Sequence, residues 1–168
     1  MLPKAPRWGW HPEHPVVNVT WADAVAYSEW AGAELPTEAQ WEYAARGPEG
    51  RTNPWGEEAP TPKRAVYGQS AGTAPVGSMP AGASWCGGLD LAGNVWEWCR
   101  DVYDGTYYMR SPQKDPLNDN NDCKQSRVLR GGSWNFVPDS LRAVCRAYGG
   151  RWNVSLGFRS VVCAPEDY

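Results

Sequence analysis

Asp90-Leu-Ala-Gly-Asn-Val-Trp-Glu97 sets two carboxylates on either side of a glycine turn. Carboxylate and carbonyl oxygens mixed on a tight turn are the hard donors that Ca²⁺ selects. The same two acids can also brace the loop by hydrogen bonds alone. Thiol chemistry is the second candidate, because the chain has five cysteines: Cys86, Cys99, Cys123, Cys145 and Cys163. An odd number leaves at least one unpaired within the chain. No C-x-x-C spacing occurs, which argues against zinc and for buried, reduced thiols. Glu38 and Glu42 stand four apart but read as an exposed helix face plus a carboxylate that ties a loop. Asp101 and Asp104 lack a partner that would name a reaction. Ser133 follows two glycines, but no His–Asp pair accompanies it, so nucleophilic catalysis has weak support. His11 and His14 lie close together on a Pro-rich arm and read as solvated.

The third candidate is recognition. Arg127-Val-Leu-Arg-Gly-Gly-Ser-Trp134 and Gly157-Phe-Arg159 bracket a stretch that mixes Tyr, Trp and Phe with Ser, Gly, Asn and Arg. Rigid aromatics offer contact area at low entropic cost, and small polar residues adapt their hydrogen bonds, as in paratopes. Arg142, Arg146, Arg151 and Arg159 crowd this region. Some of them suit loop carbonyls, others an anionic ligand.

Several elements must position these residues. Val16–Val19 reads as a short strand. Thr20 is an N-cap with Asp23 three places on, Trp21–Trp30 follows at helical spacing, and Gly32 closes the helix. Thr37 and Gln40 form a capping box for a second helix, with Trp41, Ala44 and Ala45 as its buried stripe and Gly47 as its end. Turn signals then recur from Gly47 to Gly72, so long loops are expected there. Val95–Trp98, Val128–Arg130 and Phe158–Val162 read as strands. Residues 115–124 read as an exposed polar loop, and residues 1–15 as an extended lead-in. The fold class is therefore α+β, with helices early and irregular β structure after them.

Bulk properties narrow the function classes. The chain has 168 residues, enough for one domain with a core of its own. A net charge of −3 without a basic cluster argues against a nucleic-acid surface. There is no apolar run of membrane-spanning length and no signal peptide, which argues against membrane insertion. Localisation stays open: cytoplasmic synthesis is compatible with later display on a surface. Eleven Trp with 18 Gly and 15 Pro point to a loop-rich fold packed by large aromatics.

Six ordered segments carry a resemblance. They are His14-Pro-Val-Val-Asn-Val-Thr-Trp21, Ala31-Gly-Ala-Glu-Leu-Pro-Thr-Glu-Ala-Gln-Trp-Glu-Tyr-Ala-Ala-Arg-Gly47, Pro54-Trp-Gly56, Pro75-Val-Gly77, Asp90 to Trp98, and Arg127 to Trp134 with Gly157-Phe-Arg159. Together they resemble the formylglycine-generating enzyme, or sulfatase-modifying-factor, family from about residue 14 to residue 163. The resemblance implies a single C-type lectin-like domain over residues 1–168: two helices with short twisted sheets and long loops. It also implies a structural Ca²⁺ held by the side chains of Asp90 and Glu97 and the carbonyls of Gly93 and Val95. The family's other calcium loop is shortened here, with Val66 where an Asn ligand is expected.

The family's oxidases bind copper through two cysteines just after the Gly-Gly-Ser motif. Phe136 and Leu141 stand at those places here, so neither copper nor that oxidase activity is expected. A related branch makes sulfoxides with an iron held by three histidines, and this chain has two. A third branch fits better: the target proteins of diversity-generating retroelements, in which adenine-directed mutation varies residues between Gly-Gly-Ser-Trp and Gly-Phe-Arg. Residues 134–159 are the candidate variable region. Asn135, Phe136, Val137, Asp139, Ser140, Ala147, Tyr148, Gly149, Gly150, Trp152, Val154 and Ser155 are its candidate ligand-contacting residues. All but Trp152 are either Asn or reachable from an Asn codon by adenine changes, and Trp152 needs more changes or is invariant. The expectation is a non-catalytic domain that binds a protein or cell-surface ligand, in an oligomeric state the sequence leaves open. The alternatives are a divergent oxidase using Cys145 or Cys163, and an accessory module with an unvarying surface.

Overall fold

The computed structural model describes residues 3–119, 125–151 and 153–162. Helix α1 spans Trp21–Trp30 and helix α2 spans Glu38–Arg46. Both start on the N-caps read from the sequence, and both N-caps are capping boxes: Thr37 with Gln40, as expected, and Thr20 with Asp23. In each, the Thr hydroxyl accepts the N3 amide and the N3 side chain accepts the Thr amide, so two orphan donors are satisfied at once. Gly32 and Gly47 follow the last turns with positive φ.

Four strands follow: β1 Trp96–Val102, β2 Arg127–Arg130, β3 Arg146–Gly149 and β4 Leu156–Gly157. They form one sheet in the order β3-β2-β1-β4. β1 runs antiparallel to β2 and parallel to β4, and β2 runs antiparallel to β3. Side chains alternate across a strand, and here the alternation divides the core in two. Trp96, Trp98, Leu129 and Leu156 pack with Ala24 of α1, Val19 and Leu35. Cys99 and Val128 pack on the other side with Trp41 and Ala45 of α2, Leu91 and Ala143. Tryptophan rings supply much of this packing, and their indole N–H groups find acceptors. Trp21 donates to the Cys99 carbonyl, Trp98 to the Val19 carbonyl and Trp41 to the Glu97 carboxylate.

Several expectations give way. Residues 16–19 form no strand. Val17 and Val19 are both buried, and Asn18 between them takes φ 61, a left-handed turn that breaks extended geometry. The expected strand over 158–162 is replaced by the two-residue β4 just before it and a single bridge from Val161 to Glu34. Phe158–Ser160 leaves the sheet there, and Arg159 reaches Glu97 and the Leu89 carbonyl. β3 was not expected at all. Arg-Ala-Tyr-Gly has little strand propensity, and its conformation follows from four register pairs with β2. The loop from residue 115 is tied down by Asn118, whose amide donates to Asp101 and whose carbonyl accepts from Val102. The expected loop residues 120–124 lie outside the described residues.

Candidate functional site

The C-terminal surface is built as buried anchors alternating with exposed positions. Gly131, Gly132, Ser133 and Trp134 are all buried. The Gly93 amide donates to the Gly131 carbonyl, and the Trp134 amide donates to the Asn94 carbonyl. Gly132 has φ 75, and a Cβ there would lie 2.8 Å from Leu141 Cδ2, so only glycine fits. The chain then surfaces: Asn135, Phe136, Val137, Pro138 and Asp139 are exposed. Their backbone remains pinned, because the amides of Gly68 and Gln69 donate to the carbonyls of Phe136 and Trp134. A 3-10 turn over Pro138–Leu141 carries it back to Leu141 and Ala143, both inaccessible.

Phe136 is 39% exposed and meets Trp96 edge to face at 5.4 Å. Val137 and Tyr148 are each 62% exposed. Tyr148 leans on Tyr103 with ring centroids 4.7 Å apart. Gly150 is open, with no atom within 4 Å of a Cβ placed there. Ser140 and Val154 are half-buried. The structure thus brings Asn135–Asp139, Tyr148 and Gly150 to the surface.

Three other candidates face inward. Ser155 is 4% exposed, and its hydroxyl and amide both donate to Asn153 Oδ1, so it braces the loop instead of meeting a ligand. Gly149 is tightly packed: a Cβ would lie 3.0 Å from the side chains of Leu129 and Trp98, which would have to yield. Ala147 packs on the α1-side core. Candidate Trp152 lies outside the described residues.

Beneath Tyr148 is a charged network that the sequence reading missed. Glu38 and Glu42 were expected to supply an exposed helix face and a carboxylate that ties a loop, yet Glu38 is 1% exposed. Both its oxygens accept from Arg146, at 2.6 and 2.8 Å. Arg146 lies over the rings of Tyr103 and Tyr108, at 5.1 and 5.2 Å, and donates to the Asp104 carbonyl. Its hydrogen bonds to Glu38 hold its proton more tightly than usual, and burial pushes the Tyr108 hydroxyl pKa up. Arg130 is wholly buried, pairs with Glu42, and donates to the carbonyls of Ala143, Val144 and Cys145. Asp101 is buried in β1 and accepts the amides of Glu38 and Asn118. Asp104 is held down at about 2 by Arg110, with Thr106 assisting. The signal available in the sequence was the aromatic run Tyr103 to Tyr108, but nothing there links it to α2.

The Asp90–Glu97 loop lines a cleft of about 520 Å³ with Asn94, Val95, Phe158 and Arg159. Asp90 takes φ 57 and accepts the Gly77 amide at 2.6 Å. Glu97 is buried, accepts twice from Arg159 at 2.6 Å and once from Trp41 at 2.7 Å. Burial pushes the Asp90 carboxyl up against the Gly77 hydrogen bond, and the nearby Glu97 charge adds to the rise. Two carboxylates therefore share this cleft with one guanidinium. The donor types and the residual negative charge fit a hard cation. Arg159 already balances much of Glu97, so a cation would answer chiefly to Asp90 and the turn carbonyls.

Among the described residues, Cys86, Cys99 and Cys145 are free thiols. Cys99 is sealed in the core, and burial pushes its thiol well up, which suppresses the reactive thiolate. Cys145 is half-buried just before β3, and Cys86 is exposed. Cys123 and Cys163 lie outside the described residues. His14 bonds Thr73 at 2.9 Å, and its ring lies 4.9 Å from that of His11. No group of three or more His, Cys, Asp or Glu residues suited to a metal occurs among the described residues. No described helix is long and apolar enough to cross a membrane.

Residues 4–164 match the model of the sulfatase-modifying factor enzyme 1-like domain. The chain is 45% identical over 139 residues to the formylglycine-generating enzyme of Streptomyces coelicolor, covering 73% of this chain and 43% of that enzyme. It thus spans less than half the length of that relative. PvdO from Pseudomonas aeruginosa superposes with a TM-score of 0.80 at 27% identity, over 91% of this chain and 63% of that one. Treponema denticola variable protein 1 superposes with a TM-score of 0.70 at 25% identity, over 94% of this chain and 74% of that one. The α+β expectation holds in its finer form: the fold is C-type lectin-like, of the sulfatase-modifying-factor type.

Proposed function

The chain belongs to the sulfatase-modifying factor enzyme 1-like domain family, and within it we propose a non-catalytic domain that binds a protein or cell-surface ligand through a retroelement-diversified C-terminal surface. The observation that carries this reading is the alternation of buried anchors with exposed positions between Gly131 and Gly157. Anchors hold the backbone whatever side chains stand at Asn135–Asp139, Tyr148 and Gly150. A surface that varies needs that separation between packing and contact. The likeness to a variable protein from Treponema denticola supports it. Phe136 and Tyr148 act as aromatic anchors for the ligand, Val137 adds apolar area, and Asn135 and Asp139 orient polar groups. A broad exposed face suits a macromolecule better than a small molecule does.

Calcium enters this reading as a structural ion. Asp90 and Glu97 would hold it with the carbonyls of Gly93 and Val95. Its charge would stiffen the loop on which Trp134 and Gly131 dock.

The second reading is a divergent oxidase, favoured by the 45% identity to a formylglycine-generating enzyme. It would use Cys145 or Cys163 to bind copper. Incubation with copper, oxygen and a cysteine-containing sulfatase peptide separates the two readings. The binding reading expects unchanged peptide by mass spectrometry. Conversion of the peptide cysteine to an aldehyde would overturn it in favour of the oxidase.

A further inference from the structure

β3 ends the sheet and pairs with β2 alone. In an antiparallel ladder, alternate residues turn their N–H and C=O groups toward opposite sides. Half of the backbone groups of Arg146–Gly149 therefore point away from β2. No described residue donates to or accepts from them. The rim around them is open: Val144, Tyr148 and Gly150 are exposed. An unpaired edge is a template for an added strand, and proteins usually blunt or cover it. Here it lies within the surface read as ligand-binding.

Charge identifies what this edge prefers. Arg146 is neutralised by Glu38. Arg142 and Arg151 flank the strand, are exposed, and have no carboxylate partner among the described residues. A second copy of this chain, pairing edge to edge, would bring the same cations together. An acidic strand would not meet that repulsion. The two faces differ as well. Arg146 and Tyr148 point to the side of Tyr103 and Tyr108, whereas Ala147 and Gly149 lie against Trp98 and Leu129. An added strand would thus run beside tyrosine rings on one face.

We propose that the outer edge of β3 takes up an extended, acidic peptide segment of the partner protein as a fifth strand. The proposal rests on the reading of this surface as ligand-binding and names the form of the ligand. Main-chain pairing would be indifferent to the variable side chains and supply a constant part of the affinity. Tyr148 and its neighbours would supply the variable part.

A random peptide library displayed on phage, selected on the intact chain, provides the probe. Selected peptides should be rich in Asp and Glu. Single N-methylations scanned along such a peptide should weaken binding about tenfold at every second residue, the order expected for one lost main-chain hydrogen bond. Binding should slow amide exchange at residues 147–150, and the double variant Arg142→Glu, Arg151→Glu should lose the peptide while remaining folded. Recovery of no peptide, or affinity indifferent to N-methylation at every position, overturns the proposal. Indifference to N-methylation together with loss in Tyr148→Ala would leave the ligand-binding surface standing without the added strand. Periodic sensitivity that survives Tyr148→Ala and Phe136→Ala would keep the strand and remove the side-chain reading. Protection of residues 147–150 by self-association alone would make a second copy the occupant and overturn the acidic partner.

Discussion

Replacing Glu38 with Ala tests the network under the proposed surface. Glu38 is 1% exposed, and its carboxylate accepts twice from Arg146, whose side chain is 20% exposed. Its removal leaves Arg146 against two tyrosine rings without a counter-charge. Arg130, wholly buried, loses a second carboxylate 3.5 Å away but keeps Glu42 and three carbonyls. Breaking a buried pair by deleting one partner costs about 3–5 kcal/mol. Partial access of water to Arg146 and the surviving partners of Arg130 put the expectation at the low end, about 3 kcal/mol. Urea denaturation measures it directly. In a domain of this size the melting temperature should fall by about 6–12 °C. The double variant Glu38→Ala, Arg146→Ala should be less destabilised than the sum of the singles, because each single strands the other charge. A loss below about 1 kcal/mol for Glu38→Ala, the range of exposed ion pairs, would refute the reasoning.

Other outcomes follow from the same geometry. Tyr148→Ala and Phe136→Ala should abolish ligand binding; Tyr148, 62% exposed, should cost less than about 1 kcal/mol of unfolding free energy, and Phe136, 39% exposed against Trp96, about 1–2 kcal/mol; a larger loss of stability from both would make them core. Trp134→Ala, by contrast, removes a 5% exposed ring that packs edge to face on Trp8, and should cost about 3–5 kcal/mol in the same denaturation assay. Gly132→Ala forces a Cβ into Leu141 and Ser140 at positive φ, and should cost about 2 kcal/mol or more; a neutral result would mean the turn can relax. Chelation should lower the melting temperature and added Ca²⁺ restore it, with no response in Asp90→Ala. A melting temperature that ignores calcium in the unaltered chain would exclude the structural ion.

Local signals carried much of the fold. The N-caps at Thr20 and Thr37 are written in nearby residues, so both helices were legible, as were β2 and the Trp96–Trp98 start of β1, though not its continuation to Val102. Elements made by distant partners were not. β3 exists because Val128 and Leu129 pair with Tyr148 and Ala147, and no property of Arg-Ala-Tyr-Gly announces that. Glu38 looked like surface because its partner, Arg146, lies 108 residues away. The candidate variable region was placed by its brackets, the Gly-Gly-Ser-Trp and Gly-Phe-Arg segments. Its inner division into outward and inward residues needed the third dimension. Ser155 and Gly149 have the composition of contact residues, yet one caps Asn153 and the other makes room for Trp98.

Whether the surface between Trp134 and Arg159 is diversified for binding can be read from the DNA around the coding sequence. A diversified surface requires a near-copy of the codons for residues 134–159, differing mainly at adenines and lying beside a reverse transcriptase gene. Differences should fall on codons for exposed positions such as Asn135–Val137, Asp139 and Tyr148, and spare those for Gly132, Trp134, Leu141 and Gly149. A locus without such a repeat, or one whose differences fall on the buried anchors, would contradict it.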